Sequence, residues 1–237
     1  IHGVSYTMGS TLFPQEIGMA ATFNKELVNQ IGSISAYETR ASYIPWNFSP
    51  VLDVAKTQLW PRIYESFGED PYLVSTMGTA IIKGYQGNGI GDKYHVTSTM
   101  KHFLGYGAPL SGNDRTPAWI PDRYMREYFL PPFIEAVNAG SRTIMINSSE
   151  INGVPVHGSK YLLTDVLRKE LKFTGVVISD WMDVRYLHTR HHISATEKEA
   201  VALSVNSGID MCIVPYDYTF SDYLIENVKE GNVPMSR

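Results

Sequence analysis

The sequence predicts an α/β protein of the (β/α)8 TIM-barrel-like class, incomplete at both ends. Three observations carry that reading. Short apolar or β-branched runs alternate with amphipathic stretches, the pattern of a parallel sheet covered by helices. The alternation repeats at least five times, with strand starts roughly 30 to 50 residues apart, against ~30 for a barrel unit without loop insertions. At 237 residues the chain also falls within the range of about 200–250 residues in which one barrel forms one domain. The rival is an open doubly wound sheet, which announces itself with a glycine-rich turn after its first strand. Gly87-Asn88-Gly89-Ile90-Gly91 follows a helical stretch instead and reads as a flexible loop.

Taken in order, Tyr43–Val54 reads as a strand and loop. Pro71–Gln86 reads as a helix opened by Asp70-Pro71, because proline is tolerated in a first helical turn. His95–Phe103 is the next strand. In Pro121–Gly140 the residues Met125, Phe129, Phe133 and Val137 recur every four positions and Gly140 supplies the stop, so a helix is expected, kinked by Pro131-Pro132. Arg142–Asn147 reads as a buried strand. Tyr161–Leu171 is a helix with Leu163, Val166 and Leu167 on one face, and Gly175–Asp180 is a strand. A helix at Thr196–Ser207, a strand at Ile209–Pro215 and a helix at Phe220–Glu230 complete the series. No shift in composition marks a linker.

Composition excludes several functions. Hydrophobic residues make up 43% and aromatic residues 12%, too many for a disordered chain. Twenty Lys and Arg against 24 Asp and Glu give a net charge of −4. No basic stripe is present, so nucleic acid is not an expected partner. The longest apolar runs, around Gly175–Ser179, fall far short of the ~18 residues that span a bilayer, and no membrane partner is expected. Cys212, the single cysteine, reads as a small buried residue. The chain opens at Ile1-His2-Gly3 with neither initiator Met nor signal peptide and stops just after a helix and turn, so a piece of a longer polypeptide is expected.

In a barrel, residues just beyond the C-terminal ends of the strands converge on one face. Here they are His2, Asp53, Arg62 with Glu65, Lys101-His102, Ser148 with Glu150, Asp180-Trp181, and Tyr216-Asp217. Polar and aromatic groups around an apolar barrel fit a neutral polyhydroxylated ligand: charged side chains bond hydroxyls, and an indole packs on the apolar face of a sugar ring. In Val176–Trp181 an apolar strand ends in a carboxylate. Asp180 is therefore either a nucleophile held on a rigid element or a cap for the following helix. Lys101-His102 reads either as a clamp for neighbouring hydroxyls or as a surface lysine beside a core histidine. His188-Thr189-Arg190-His191-His192 resembles a metal cluster, but Arg190 opposes a cation and no carboxylate stands at ligand spacing, so a polar rim loop is expected and no metal or cofactor. Asn47-Phe48-Ser49 and Asn147-Ser148-Ser149 match the glycosylation sequon within strand-like segments and read as chance matches.

Together these pieces resemble glycoside hydrolase family 3, whose members are mostly exo-acting β-glucosidases. The resemblance spans essentially the whole chain: Ile1-His2-Gly3, Phe13-Pro14-Gln15 through Asn24, Ser49–Val54, Trp60-Pro61-Arg62-Ile63-Tyr64-Glu65 through Tyr72, Lys101-His102-Phe103, Asn152–His157, Val177–Trp181, Gly208–Met211 and Val233–Arg237. It implies that residues 1–237 are a barrel catalytic domain fragment, with Asp180 as nucleophile and Trp181 as a wall of the terminal-sugar subsite. Arg62, Lys101 and His102 would clamp hydroxyls, and Glu65 would order Arg62 or Lys101; Ser148 and Glu150 are further candidate sugar contacts. The implied reaction is retaining removal of terminal β-D-glucosyl residues from oligosaccharides or glucosides through a covalent glycosyl-aspartate. Its acid/base glutamate would come from a following α/β sandwich domain of the same polypeptide. A secreted or periplasmic location is implied as well. The alternatives are a non-catalytic sugar-binding barrel and a β-xylosidase or other glycosidase of the same family.

Departures from the family pattern are local. The aspartate that stands two residues before Ile-His-Gly would precede residue 1. Ser148-Ser149-Glu150 stands where a tyrosine is often found, and Trp60-Pro61-Arg62 replaces the commoner Trp-Gly-Arg. One branch of the family cleaves N-acetylglucosaminides with a His-containing loop after Lys-His-Phe. Leu104-Gly105-Tyr106-Gly107-Ala108-Pro109 has no such element following, which points to the glucosidase-like branch.

Overall fold

Capping chemistry sets where the long helices begin. The structure is a computed structural model and describes residues 2–237. After the short α1 (Glu16–Ala20), α2 (Lys25–Ala41) starts at Asn24, whose side-chain oxygen accepts from Leu27 N at 2.9 Å. α3 (Pro71–Gln86) starts at Asp70, which accepts from Leu73 N at 2.8 Å, with proline in the first turn as expected. α2 was not anticipated. Its buried face is Val28, Ile31, Gly32, Ser35, Ala36 and Thr39, helical in spacing but mostly small or polar.

The small residues have a packing reason. α2 and α3 cross where their backbones nearly touch: a Cβ on Gly84 would stand 2.2 Å from the Asn29 carbonyl oxygen, and one on Gly32 would stand 2.7 Å from that of Ile81. Asn29 Nδ2 donates to the Ala80 carbonyl at 3.0 Å across the same contact.

β1 (Thr99–Phe103), β2 (Thr143–Ile146), β5 (Val176–Trp181) and β6 (Met211–Ile213) form a parallel sheet in that order. Residues 46–54 extend it along β1 through parallel bridges Trp46–Thr97 and Val51–Lys101. Five strand positions therefore follow one another in chain order without reversing, as in a barrel wall and unlike a doubly wound sheet. The fold is TIM-barrel-like. β1 and β2 are buried throughout; β2 accordingly reads as a continuous apolar run, while β1 also buries Lys101 and His102. A separate antiparallel hairpin, β3 (Glu150–Ile151) and β4 (Val154–Pro155), projects after β2. His2 does not end a parallel strand: Gly3 bridges Leu12 in antiparallel fashion, and Phe13 N donates to the His2 carbonyl at 2.9 Å.

The helix expected over 121–140 is three pieces: α4 (Asp122–Tyr124), a π-helical turn Met125–Phe129, and α5 (Pro131–Asn138). Pro131 and Pro132 offer no N–H to the preceding turn. The ladder opens there, with Leu130 N reaching the Met125 carbonyl five residues back at 2.9 Å. Phe103 meets Phe133 edge-on at 5.2 Å and ties β1 to α5. A π-helix, Tyr161–Glu170, precedes β5; α6 (Asp183–Thr189), the helix expected just after Asp180, follows it; α7 (Glu197–Ser207) and α8 (Thr219–Lys229) flank β6.

The α2–α3 crossing yields a stability prediction. Gly84→Ala gains about 1 kcal/mol of helix propensity but meets backbone that must move, an overpacking cost of about 1–3 kcal/mol. With the clash at 2.2 Å falling on backbone, the cost takes the upper part of that range, and the substitution is expected to destabilise the fold by a net of up to about 2 kcal/mol, read as a lower denaturation midpoint; a midpoint equal to or above wild type contradicts the crossing.

Candidate active site

β5 is an apolar strand that closes on Ser179-Asp180-Trp181. Asp180 is 8% exposed. Its Oδ1 accepts from Trp181 N at 2.5 Å and lies 3.5 Å from Arg115 Nη2. Its Oδ2 is buried without a hydrogen-bond partner among the described residues and lies 3.7 Å from His102 Nε2. Asp180 does not cap α6. Met182, left-handed at φ 65, holds that position, and no side chain accepts there.

Across the sheet, β1 delivers Lys101 and His102. His102 Nδ1 lies 2.7 Å from Asp53 Oδ2, and the same oxygen accepts the His102 backbone N–H at 3.2 Å. Arg62 Nη2, which can only donate, stands 3.3 Å from His102 Nε2. That assigns Nε2 as acceptor and places the ring hydrogen on Nδ1, toward Asp53. Burial, then the positive charges of Arg62, Lys101 and Arg115, push His102 well below the usual imidazole range. Burial pushes Asp53 up to about 8, against the pull of Arg62 and the His102 N–H.

Arg62 is forked onto Glu65, with Nε–Oε1 and Nη2–Oε2 both 2.7 Å. Its guanidinium carbon sits 5.5 Å from the centre of the Tyr106 ring. Burial opposes the charge on Arg62, but Glu65 overrides it and raises the guanidinium above its ordinary range. Of the two partners expected for Glu65, the structure selects Arg62. The buried Lys101 makes no side-chain hydrogen bond or ion pair among the described residues. Burial and then Arg62 hold it below the usual lysine range, while Glu65, Asp180 and Glu16 oppose them. Asp180, Lys101, His102, Arg62 and Glu65 thus form one cluster. Trp181, 45% exposed, stands at its edge with Tyr216 edge-on at 6.0 Å.

Ser148 and Glu150 are engaged elsewhere. The buried Ser148 hydroxyl donates to Asp183 Oδ2 in a very short contact, and Glu150 Oε1 accepts from His191 Nδ1 at 2.7 Å. Each answers a nearby polar group that burial would otherwise leave unpaired. His188 Nδ1 lies 3.0 Å from the Ser194 carbonyl, so both His188 and His191 serve the 188–192 loop. Asp217 pairs with Arg185 at 2.8 Å.

Three residues of the site were not anticipated. His157 Nε2 accepts the Asp180 backbone N–H at 3.1 Å, and burial pushes His157 down to about 3. Asp183, in the first turn of α6, is pushed up to about 7 by burial and by Asp180, with Arg115 opposing. Arg115 Nη1 lies 3.1 Å from Asp183 Oδ1. His157 stood in a quoted stretch, Val154-Pro155-Val156-His157, and Asp183 stood three residues beyond Asp180. Arg115 sits in a loop that carries no periodic signal.

A groove of about 940 Å³ crosses α3 between α2 and α5 and is lined by Lys25, Tyr72, Thr76, Lys83 and Glu127. It contains none of the strand-end residues, whose buried charged cluster is the candidate site. The family model for the glycosyl hydrolase family 3 N-terminal domain matches residues 1–237. The chain belongs to that family. Relatives within glycosyl hydrolase family 3 include a lysosomal beta glucosidase of Dictyostelium discoideum, 49% identical over 100% of this chain and 30% of the relative. A beta-xylosidase of Formosa agariphila is 41% identical over 90% of this chain and 31% of the relative. A beta-glucosidase structure from Listeria innocua superposes with a TM-score of 0.92 at 32% identity, covering 100% of this chain and 32% of that one. The chain spans about 30% of the length of the curated relatives it matches.

His157 gives this domain a measurable pH dependence. In the folded state it stays neutral down to about 3, against 6.5 for the free side chain. Between those values the unfolded chain binds the extra proton, so stability is lost as pH falls through that window. His157→Gln keeps an acceptor for Asp180 N and removes the titration. The stability lost between pH 7 and 4 is expected to shrink by on the order of 3 kcal/mol, read from urea midpoints at the two pH values; equal losses contradict the assignment.

Proposed function

We propose that this domain carries the nucleophile of a retaining exo-acting glycosidase that removes terminal non-reducing β-D-glucosyl residues from oligosaccharides or glucosides. The observation that carries the reading is Asp180 Oδ2. It is a carboxylate oxygen at the end of a rigid strand, buried and without a partner, beside Lys101, His102 and Arg62. A buried acceptor left open in this way awaits a ligand atom.

Asp180 Oδ2 attacks the anomeric carbon as the bond to the leaving group breaks, giving a glycosyl-aspartate, and water then releases the sugar with retained configuration. The Lys101 ammonium, without a protein partner, donates to sugar hydroxyls. Arg62 approaches the same space with its direction fixed by Glu65, and the exposed face of Trp181 forms an apolar wall. The chemistry requires a second carboxyl about 5–5.5 Å from the first, as acid and then base. Glu65 is engaged by Arg62 and Asp183 by Arg115 and Ser148, while Asp53 is buried and bonded through Oδ2 to His102. As the family resemblance implies, we assign the acid/base to a glutamate of a second domain in the same polypeptide. The higher identity to the Dictyostelium beta glucosidase than to the Formosa beta-xylosidase, 49% against 41%, supports glucose as the terminal sugar.

In the complete polypeptide, Asp180→Asn is expected to cut kcat on an aryl β-D-glucoside by about 10⁴-fold or more with sugar binding kept. Turnover at the wild-type rate rejects the nucleophile. The wild type is expected to prefer the aryl β-D-glucoside over the xyloside by at least about tenfold in kcat/KM; the opposite order replaces glucose with xylose.

A further inference from the structure

Arg115 divides its guanidinium between two carboxylates. Nη1 is 3.1 Å from Asp183 Oδ1, and Nη2 is 3.5 Å from Asp180 Oδ1. Both ends of this link are themselves held. Asp183 receives the Ser148 hydroxyl on Oδ2, with His157 Nε2 at 3.9 Å, and the Arg115 carbonyl accepts from Arg190 Nη2. The backbone adopts a left-handed conformation at Arg115, φ 56, and at Met182, φ 65, between Asp180 and Asp183. L side chains adopt that region only at a cost, so the surrounding contacts must hold these two turns in place.

The consequence falls on Asp180. Its Oδ1 is held from two sides, by Trp181 N at 2.5 Å and by Arg115. Oδ2 is then the one oxygen of that carboxylate left without a hydrogen bond. Without a cation between them, the two carboxylates repel, and the Trp181 N–H is the one hydrogen bond left on the Asp180 side chain among the described residues. Lysine cannot replace this link, because one ammonium lacks the planar fork that reaches two carboxylates at a fixed spacing.

We propose that Arg115 is a positioning residue for Asp180, anchored by Asp183 and Ser148, and that this strut selects which carboxylate oxygen is presented to the sugar. The proposal rests on the reading of Asp180 as nucleophile. Asp183 acts through Arg115 and does not touch the sugar. The strut replaces the sugar contact expected of Ser148, whose hydroxyl is spent on Asp183.

The test uses the complete polypeptide and an aryl 2-deoxy-2-fluoro-β-D-glucoside, whose good leaving group needs little protonation and whose glycosyl-enzyme turns over slowly. Labelling is followed as a function of probe concentration. This separates the maximal labelling rate from the concentration that half-saturates it. Arg115→Met is expected to slow the maximal rate by about 100-fold, the size of effect that a misplaced reacting group produces, with half-saturation held within about threefold. Asp183→Asn is expected to slow it by about tenfold, and Arg115→Met/Asp183→Asn to be no slower than Arg115→Met alone, since both act through one strut. Arg115→Lys, which keeps charge and most of the bulk, is expected to recover less than a tenth of the wild-type rate; it serves as the reading if Arg115→Met fails to fold, as judged by near-UV circular dichroism. Wild-type labelling rates in the Arg115 variants, or losses that multiply in the double variant, overturn the strut while leaving Asp180 as nucleophile. Labelling that survives Asp180→Asn overturns both.

Discussion

An ionised carboxylate placed in a closed, weakly polarisable site loses several kcal/mol of hydration unless neighbours replace the water, and the mouth of this barrel is arranged around that constraint at Asp180. The replacement is asymmetric. One oxygen takes a backbone N–H and faces a guanidinium, while the other makes no hydrogen bond among the described residues. The cations that surround it are held in turn: Arg62 by Glu65 and Arg115 by Asp183. Charge therefore alternates outward from Asp180, and each of the two guanidiniums has a carboxylate fixing its direction, whereas the Lys101 ammonium has no such partner among the described residues. The two nearby histidines, His102 and His157, are kept neutral by burial, so they accept or donate single hydrogen bonds without adding charge.

The fold supplies this arrangement through strand ends. Residues 46–54, β1 and β5 present Asp53, Lys101-His102 and Asp180 from parallel strands. Parallel strands buried on both faces leave only their ends open for polar chemistry. The outer layer answers a different demand. There α2 and α3 approach through Gly32 and Gly84, closely enough that side-chain size is restricted on the outside for reasons of packing alone.

Much of this was legible in the sequence where large apolar residues recur with one period. Met125, Phe129, Phe133 and Val137 announced a helix, and the adjacent prolines announced its interruption, realised as a π-helical turn at Met125–Phe129. α2 was illegible because its buried stripe sets Val28 and Ile31 among glycine, serine, alanine and threonine, residues that also populate turns. Asp180 was legible as a carboxylate ending an apolar strand; that it does not cap α6 was not, since that depends on the left-handed Met182. Strand-end position located Ser148 and Glu150 but could not say which way they point. Both turn to charged or imidazole partners brought from elsewhere in the chain, Asp183 and His191. Arg115 left no trace, because a loop residue that works by reaching two carboxylates 65 and 68 positions later has no local pattern. His2 was misplaced because the segment it begins pairs antiparallel with Leu12–Phe13 rather than joining the sheet.

The central claim is that Asp180 Oδ2 forms a covalent bond to the sugar, and the most direct measurement is the location of that bond. After trapping the complete polypeptide with the fluorinated aryl glucoside and digesting it at acid pH, fragment masses are predicted to place one sugar on Asp180. A sugar on any other residue, or noncovalent binding of the probe with no adduct at all, contradicts the account.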